Sequence, residues 1–259
     1  MQIKVHQTET PLFVIKIFAT IAIMIGLVAL LSTLFSHRDI TTISTYSIFI
    51  TYAVVIWGWL FFQKVYLVAH LKGSGIEITN RQFPEIHEVY TRMIMELSIK
   101  TPPKLFLVQH GGLLNAFAVR FSGKNYVAIY SDVFSLIESD LDAVRFVLAH
   151  ELGHVKRNHM SKRFWTFPSS LIPFLTAAYS RACEYTCDNV GHALAPNGSL
   201  NGLLVLAAGK DLYKRIDIED YIETQKRNTT FSVQFVNLFM SHPYLPKRLK
   251  NLKQLESST

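Results

Sequence analysis

The sequence predicts an α+β protein, a mostly helical domain with a small sheet, preceded by an N-terminal hairpin of two membrane-spanning helices. Three observations predict it. Two runs near the N-terminus, about 12–35 and 46–70, are almost continuously apolar, and crossing a bilayer takes about 20 such residues. Three short runs, 105–109, 114–120 and 126–130, are set off by Pro-Pro, Gly-Gly and Ser-Gly and read as strands. From Ser139 onward the apolar spacing is helical, with Pro and Gly at the breaks. The chain thus divides into an anchor, residues 1–72, and a domain, residues 73–259, long enough for one well-buried core.

The first apolar run is broken only by Lys16 and a few small polar residues. Its core exceeds the roughly 7–15 residues of a cleaved signal, and no A-x-A site follows. The second run carries Trp57, Trp59 and Tyr66. Lys4 and Lys16 flank the first run, Lys64, Lys72 and Arg81 the end of the second, and Arg38 in the connecting loop is opposed by Asp39. The positive-inside rule then places both termini and the domain in the cytoplasm, in an integral, multi-pass protein of the cell membrane. The pI near 9.3 comes with no basic motif interleaved with aromatics, so the implied partner is the lipid bilayer and not nucleic acid. Lys72, Gly73, Ser74 and Gly75 read as a short flexible linker, and 83–98 as an amphipathic helix opened by Pro84. Cys183 and Cys187, four apart, build no disulfide framework, which suits a reducing compartment.

The chemistry centres on His150, Glu151, Leu152, Gly153 and His154. With about 3.6 residues per helical turn, two histidines four apart lie on one face and can share a metal, with Glu151 beside it. H-E-x-x-H is the arrangement of zinc proteases, whose glutamate acts as the base toward water. Ser139 and Asp142 read as a capping box, and Leu141, Val144, Phe146, Val147, Leu148 and Leu152 give a buried helical pattern. Inside such a helix, unpartnered histidines and a glutamate are costly, and a metal supplies the partner. A third ligand is offered by residues 180–188, where Glu184 and Asp188 form an i, i+4 carboxylate pair. One could bind metal while the other fixes a ligand histidine. Cys187, about 60° from Glu184 around the helix, leaves a thiolate ligand open, although small buried cysteines are commoner. Alone, E-x-x-x-D reads as a solvated acidic face, His242 as a loop histidine and Arg248 as a surface cation. His159, about 140° from His154 on a continuous helix, would face away from the metal and reads as a packing or hydrogen-bonding residue. His110 reads as a loop residue, and His192 as one that could approach from the glutamate helix.

The order HELGH-x-x-x-x-H, SR-x-x-EY-x-x-D, HP-x-x-x-x-R resembles the M48 metallopeptidases, the HtpX-like and Ste24-like membrane proteases, over roughly residues 79–252. Asn115, Ala116, Phe117 and Ala118 look like the family's N-A-F-A strand bordering the substrate cleft. The resemblance implies a zincin-like (gluzincin) domain with one zinc ion per chain on His150, His154 and Glu184. It implies Glu151 as catalytic acid/base, His242 as transition-state stabiliser, Asp188 behind the ligands and Arg248 as support. Two departures stand out: Cys187 replaces the family's usual alanine, and the apolar stretch 164–179, with Pro168 and Pro173, is too short for the extra spans of many HtpX-like members. It reads as a bent, partly exposed segment. The implied function is a membrane-anchored zinc endopeptidase cutting polypeptides, misfolded or membrane-associated. A narrow processing protease for lipidated peptides and a zinc protein that binds without cutting are the alternatives.

Overall fold

The structure, a computed structural model, describes residues 3–36, 40–109 and 116–257. In chain order its elements are α1 (Glu9–Ser36), α2 (Ile40–Ser74), β1 (Ile76–Glu77), α3 (Pro84–Glu96), β2 (Lys104–Val108), β3 (Ala116–Phe121), β4 (Lys124–Tyr130) and the short α4 (Ser131–Phe134). Then follow α5 (Leu141–Lys156), α6 (His159–Trp165), α7 (Leu175–Leu194), α8 (Ser199–Ala208), α9 (Ile218–Arg227), α10 (Phe231–Phe239) and α11 (Leu245–Glu256).

The first two helices are long and apolar enough to cross a membrane, and Phe18, Phe49 and Trp57 along them are exposed. Neither is a free tether. The first two turns of α1 pack one face against the domain: Glu9 and Lys16 are buried, Lys16 Nζ donates to Thr176 Oγ1 at 2.8 Å, and the Phe13 and Tyr179 rings are 5.8 Å apart. The remainder, residues 17–36, is about 30 Å long, the thickness of a hydrocarbon core. At its other end the hairpin runs straight into the sheet. The stretch expected as a flexible linker is the last turn of α2, and Gly75 N donates to Leu71 O at 3.0 Å.

The sheet has the order β1-β2-β4-β3, with β2 and β4 parallel and the other pairs antiparallel. Ser122 (φ 48°) and Gly123 (φ 77°) join β3 to β4, the two positive-φ positions that suit a tight hairpin. Side chains alternate across the sheet. Leu105, Val127 and Ile129 enter the main core, whereas Phe106, Val108, Tyr126 and Ala128 face Val68 and Leu71 of α2. Helix α2 therefore covers one face of the sheet. The strand expected at 114–120 is β3, with Asn115 outside the described residues.

The centre of the domain is α5, whose Val144, Phe146, Val147, Leu148 and Leu152 are all buried. Its cap is Asp140, not Ser139 as the capping-box reading expects: Asp140 Oδ1 accepts from Ala143 N at 3.0 Å. The reason is tertiary, since Oδ2 also accepts from Asn201 Nδ2 (2.8 Å) and Tyr213 OH (2.9 Å). The turn before α8 presses on the same end: a Cβ at Gly198 would lie 1.9 Å from Asp142 O. At the other end Asn158 takes a left-handed φ of 54°, ends the helix and starts α6. After α6 the chain passes through a short 3₁₀ turn, Phe167–Leu171, to α7. That is the bent, partly exposed segment expected, with Trp165 and Leu171 each 75% exposed. Asp140→Ala is expected to lower unfolding stability by about 2–3 kcal/mol, and Ser139→Ala to change it little, as read by denaturant melts in detergent.

Candidate metal centre

Helix α5 delivers the two histidines and α7 the carboxylates, because the two helices pack closely. A Cβ at Gly153 would lie 3.2 Å from both Cα and Sγ of Cys187, so glycine there gives the backbones room for this close approach. Across that contact His150 Nε2 lies 3.5 Å from Glu184 Oε2, and His154 Nε2 lies 3.4 Å from Glu184 Oε1. His242, in the turn after α10, places Nδ1 3.0 Å from Glu184 Oε2. These groups line one cleft of about 430 Å³, shared with Glu151, Arg248 and Ala116, Phe117 and Ala118 of β3. The structure thus brings together every described residue expected at the site. Strand β3 is the last in the sheet order and borders the cleft with its first three residues.

Each histidine is held from behind. His150 Nδ1 is 3.0 Å from Asp188 Oδ1, and Asp188 is clamped by Arg248 through Nε (2.8 Å) and Nη2 (2.6 Å). Arg248, expected as support, is buried in this pair. His154 Nδ1 is 3.0 Å from His159 Nδ1. This overturns the expectation that His159 faces away: the helix breaks at Asn158, and the new helix swings the ring back under His154. Burial holds the His159 imidazole down at about 4, even with Glu9 beside it. With both Nδ1 atoms engaged, the nitrogens left for a metal are the two Nε2 atoms, and both face Glu184. Ligand atoms of His150, His154 and Cys187 also lie within 4.8 Å of one another. Yet Cys187 Sγ sits beside His159, 3.7 Å from its Nδ1, behind the histidines, and burial pushes its thiol well up. The geometry favours the carboxylate over the thiol. Cys183 is likewise a buried thiol, pushed up to about 12 by burial. His192 turns elsewhere, with Nδ1 3.2 Å from Ser199 Oγ.

The charges fit a divalent cation. Glu151, Glu184, Asp188 and Arg248 are buried together, three carboxylates against one guanidinium. Burial opposes the charge on Glu184, but hydrogen bonds with His150, His154 and His242 hold its carboxyl well below the usual range. Burial likewise opposes the charge on Asp188, and Arg248 holds that carboxyl down. Burial opposes the charge on His150 too, but Asp188 and Glu184 push it up to about 10.

The contacts made by three residues escape a sequence reading. Besides His159 and Glu9 (described below), Arg181 Nη1 donates to the carbonyls of Asn237 (2.9 Å), Leu238 (3.1 Å) and Met240 (2.8 Å). It ties the turn carrying His242 to the helix carrying Glu184. No spacing rule announces such a contact between residues nearly 60 apart. Because Asp188 titrates below its unfolded value, its pairing with Arg248 stabilises the fold above the ordinary Asp range, near pH 4, and loses that effect as pH falls through the folded value. Arg248→Met should therefore cost about 3 kcal/mol at pH 7, with the gap to wild type narrowing below about pH 4; unfolding of the metal-free chain at both pH values measures it.

Comparison with known proteins follows the same residues. The profile of Peptidase family M48 matches residues 80–167 and 163–256. Protease HtpX homolog 2 of Methanosarcina acetivorans is 25% identical over 246 residues, covering 77% of this chain and 81% of that protein. The plastoglobule-localized metallopeptidase 48 of Arabidopsis thaliana is 23% identical over 181 residues, covering 62% of this chain and 51% of its own length. Protease HtpX homolog of Helicobacter acinonychis is 22% identical, with 66% of each chain covered. The chain thus spans about half to four fifths of these relatives. The crystal structure of S. mikatae Ste24p aligns with a TM-score of 0.47 at 16% identity, over 93% of this chain and 66% of that one. Since the profile runs through both metal-site helices and the His242 turn, well over half of the chain, the protein belongs to peptidase family M48.

Proposed function

We propose that the protein is a membrane-anchored, zinc-dependent endopeptidase whose cleft opens at the cytoplasmic face of the bilayer. The observation that carries this is the convergence of His150 Nε2, His154 Nε2 and the Glu184 carboxylate at 3.4–3.5 Å beside Glu151. His150, His154 and Glu184 would hold the zinc ion. Bound there, zinc supplies a Lewis acid that makes water a nucleophile near neutral pH and polarises a carbonyl. Glu151, the neighbour of His150 on the cleft wall, takes the proton of the attacking water and returns it to the leaving amine. His242, mostly exposed and near Glu184, donates toward the oxygen of the tetrahedral intermediate. Asp188 orients His150, and Arg248 keeps Asp188 charged. An extended substrate lies along β3, where main-chain pairing tolerates many sequences. Asn115 belongs to this substrate strand in the proposal, together with Ala116, Phe117 and Ala118.

The surroundings of the cleft support substrates drawn from the membrane surface. Met160 and Arg163 line the cleft, and the exposed Phe164 and Trp165 follow them directly. On the other side α10 leads into His242 with Phe231 at 84% exposure. The two apolar segments meet at Phe174 and Phe239, ring centroids 4.6 Å apart. Such a lip beside two spans suits the lipid interface, and misfolded or membrane-associated proteins are the substrate class it fits. The N-terminus supports the hairpin topology: Asn189 Nδ2 of α7 donates to Lys4 O at 2.8 Å, so both lie on one side of the bilayer. The bias of Lys and Arg makes that side the cytoplasm.

Two experiments test the reading. Wild-type protein loaded with zinc in detergent should cut an unfolded, labelled protein. Glu151→Gln should retain zinc and lose turnover by about a thousandfold or more, while Glu184→Ala should lose zinc itself; cleavage surviving Glu151→Gln would refute the acid/base assignment. For the lip, replacing Trp57 and Trp59 by Phe leaves Trp165 as the sole tryptophan. Its fluorescence should be quenched by brominated lipids and shielded from aqueous iodide, and the reverse pattern would place the lip in water.

A further inference from the structure

The centre has a third layer, and it comes from the membrane anchor. Glu9, the first residue of α1, is completely buried against the catalytic domain. Its Oε1 accepts from Arg157 Nε (3.1 Å) and Nη2 (2.8 Å) and lies 3.3 Å from His159 Nε2, with Lys162 Nζ at 3.7 Å. His159 in turn touches His154 Nδ1 at 3.0 Å. A continuous chain of contacts therefore runs from the first span to the candidate metal ligand.

Hydrogen-bond logic gives that chain a direction. An ionised carboxylate only accepts, so the His159 ring donates from Nε2 to Glu9. A neutral imidazole then has a lone pair, and no proton, at Nδ1. Facing that lone pair, His154 must donate from Nδ1, which leaves its Nε2 unprotonated toward Glu184. Reversing any link would place a hydrogen on His154 Nε2, the atom a metal needs. Cys187 Sγ, 3.7 Å from His159 Nδ1, fits the same assignment, since a thiol can donate weakly to it.

Resting on the zinc-site reading above, we infer that Glu9 is a positioning residue of the metal centre, selecting the metal-binding tautomer of His154 through His159. The two histidine ligands are thus prepared by different devices: Asp188 acts directly on His150 from within the domain, while Glu9 acts on His154 from the membrane helix. The centre is complete only when the N-terminal turns of α1 are docked, which couples metal retention to an intact anchor.

The test is zinc affinity of the full-length chain in detergent, measured by competition with a chelator and independent of turnover. Glu9→Leu and His159→Phe should each weaken zinc binding about 10–100-fold. The double variant should be no weaker than His159→Phe alone, because both remove one chain. Glu9→Gln keeps an acceptor oxygen in an isosteric side chain, so it should bind more tightly than Glu9→Leu. It also keeps the test available if Glu9→Leu fails to fold. Lys16→Met removes a buried contact between α1 and α7 without touching the chain, and should keep wild-type zinc affinity even where thermal stability drops. Wild-type zinc binding that Glu9→Leu and Glu9→Gln leave untouched would overturn the inference alone, as would additive losses in the double variant. A wild-type chain that binds no zinc would overturn the metal reading and this inference together.

Discussion

Everything at the centre depends on how closely α5 approaches α7. The approach is set where Gly153 meets Cys187, since a side chain on Gly153 would press on the backbone of the opposite helix. Gly153 sits on α5 between His150 and His154, and Cys187 lies on α7 one turn from Glu184, so the spacing at this contact bears on whether both Nε2 atoms reach one carboxylate. The residue at 187, where the family more often has alanine, is small, apolar in behaviour and fully buried, consistent with a packing role in the helix contact. Gly191 and Gly202 admit the Phe146 ring in the same way, a Cβ at either falling under 3 Å from it. The helical layer is therefore held by steric fit before any electrostatic term acts.

Onto that framework the fold places a concentration of negative charge that would be unfavourable in an ordinary core. Isolated buried charges are among the most costly features a protein can carry. Here Arg248 offsets one carboxylate through two short hydrogen bonds, and the rest is arranged around the face where two imidazole nitrogens point. That arrangement suits a bound cation. Orientation and charge balance are thus solved by the same residues.

The anchor is part of this solution and not an appendage. α2 lays Val68 and Leu71 on the outer face of the sheet, and α1 inserts Glu9 beneath α6. Arg157, His159 and Lys162 would otherwise present three basic groups to one another around the helix break at Asn158. Glu9 gathers them, and the same carboxylate that neutralises this cluster reaches the metal side through His159.

The sequence by itself determined what local periodicity and long apolar runs can encode. The two long apolar helices, the three short strands, the helical second half and the face shared by His150 and His154 all follow from spacing, because i, i+4 neighbours on a helix coincide whatever surrounds them. The pattern of Glu184, Asp188, His242 and Arg248 was legible only as a family resemblance, since nothing in E-x-x-x-D or H-P sets it apart from a solvated surface. Tertiary structure decided the rest. Projecting His159 along an unbroken helix turned it outward, whereas one left-handed residue, Asn158, folds it back beneath His154. Ser139 satisfies the capping pattern as well as Asp140 does, and only Asn201 and Tyr213, far along the chain, select the aspartate. Glu9, just ahead of the first apolar run, carries no local pattern that marks its role. Its burial comes from contacts about 150 residues away, and hydrogen bonds across such distances leave no trace in local sequence because they depend on where the whole chain has brought their partners.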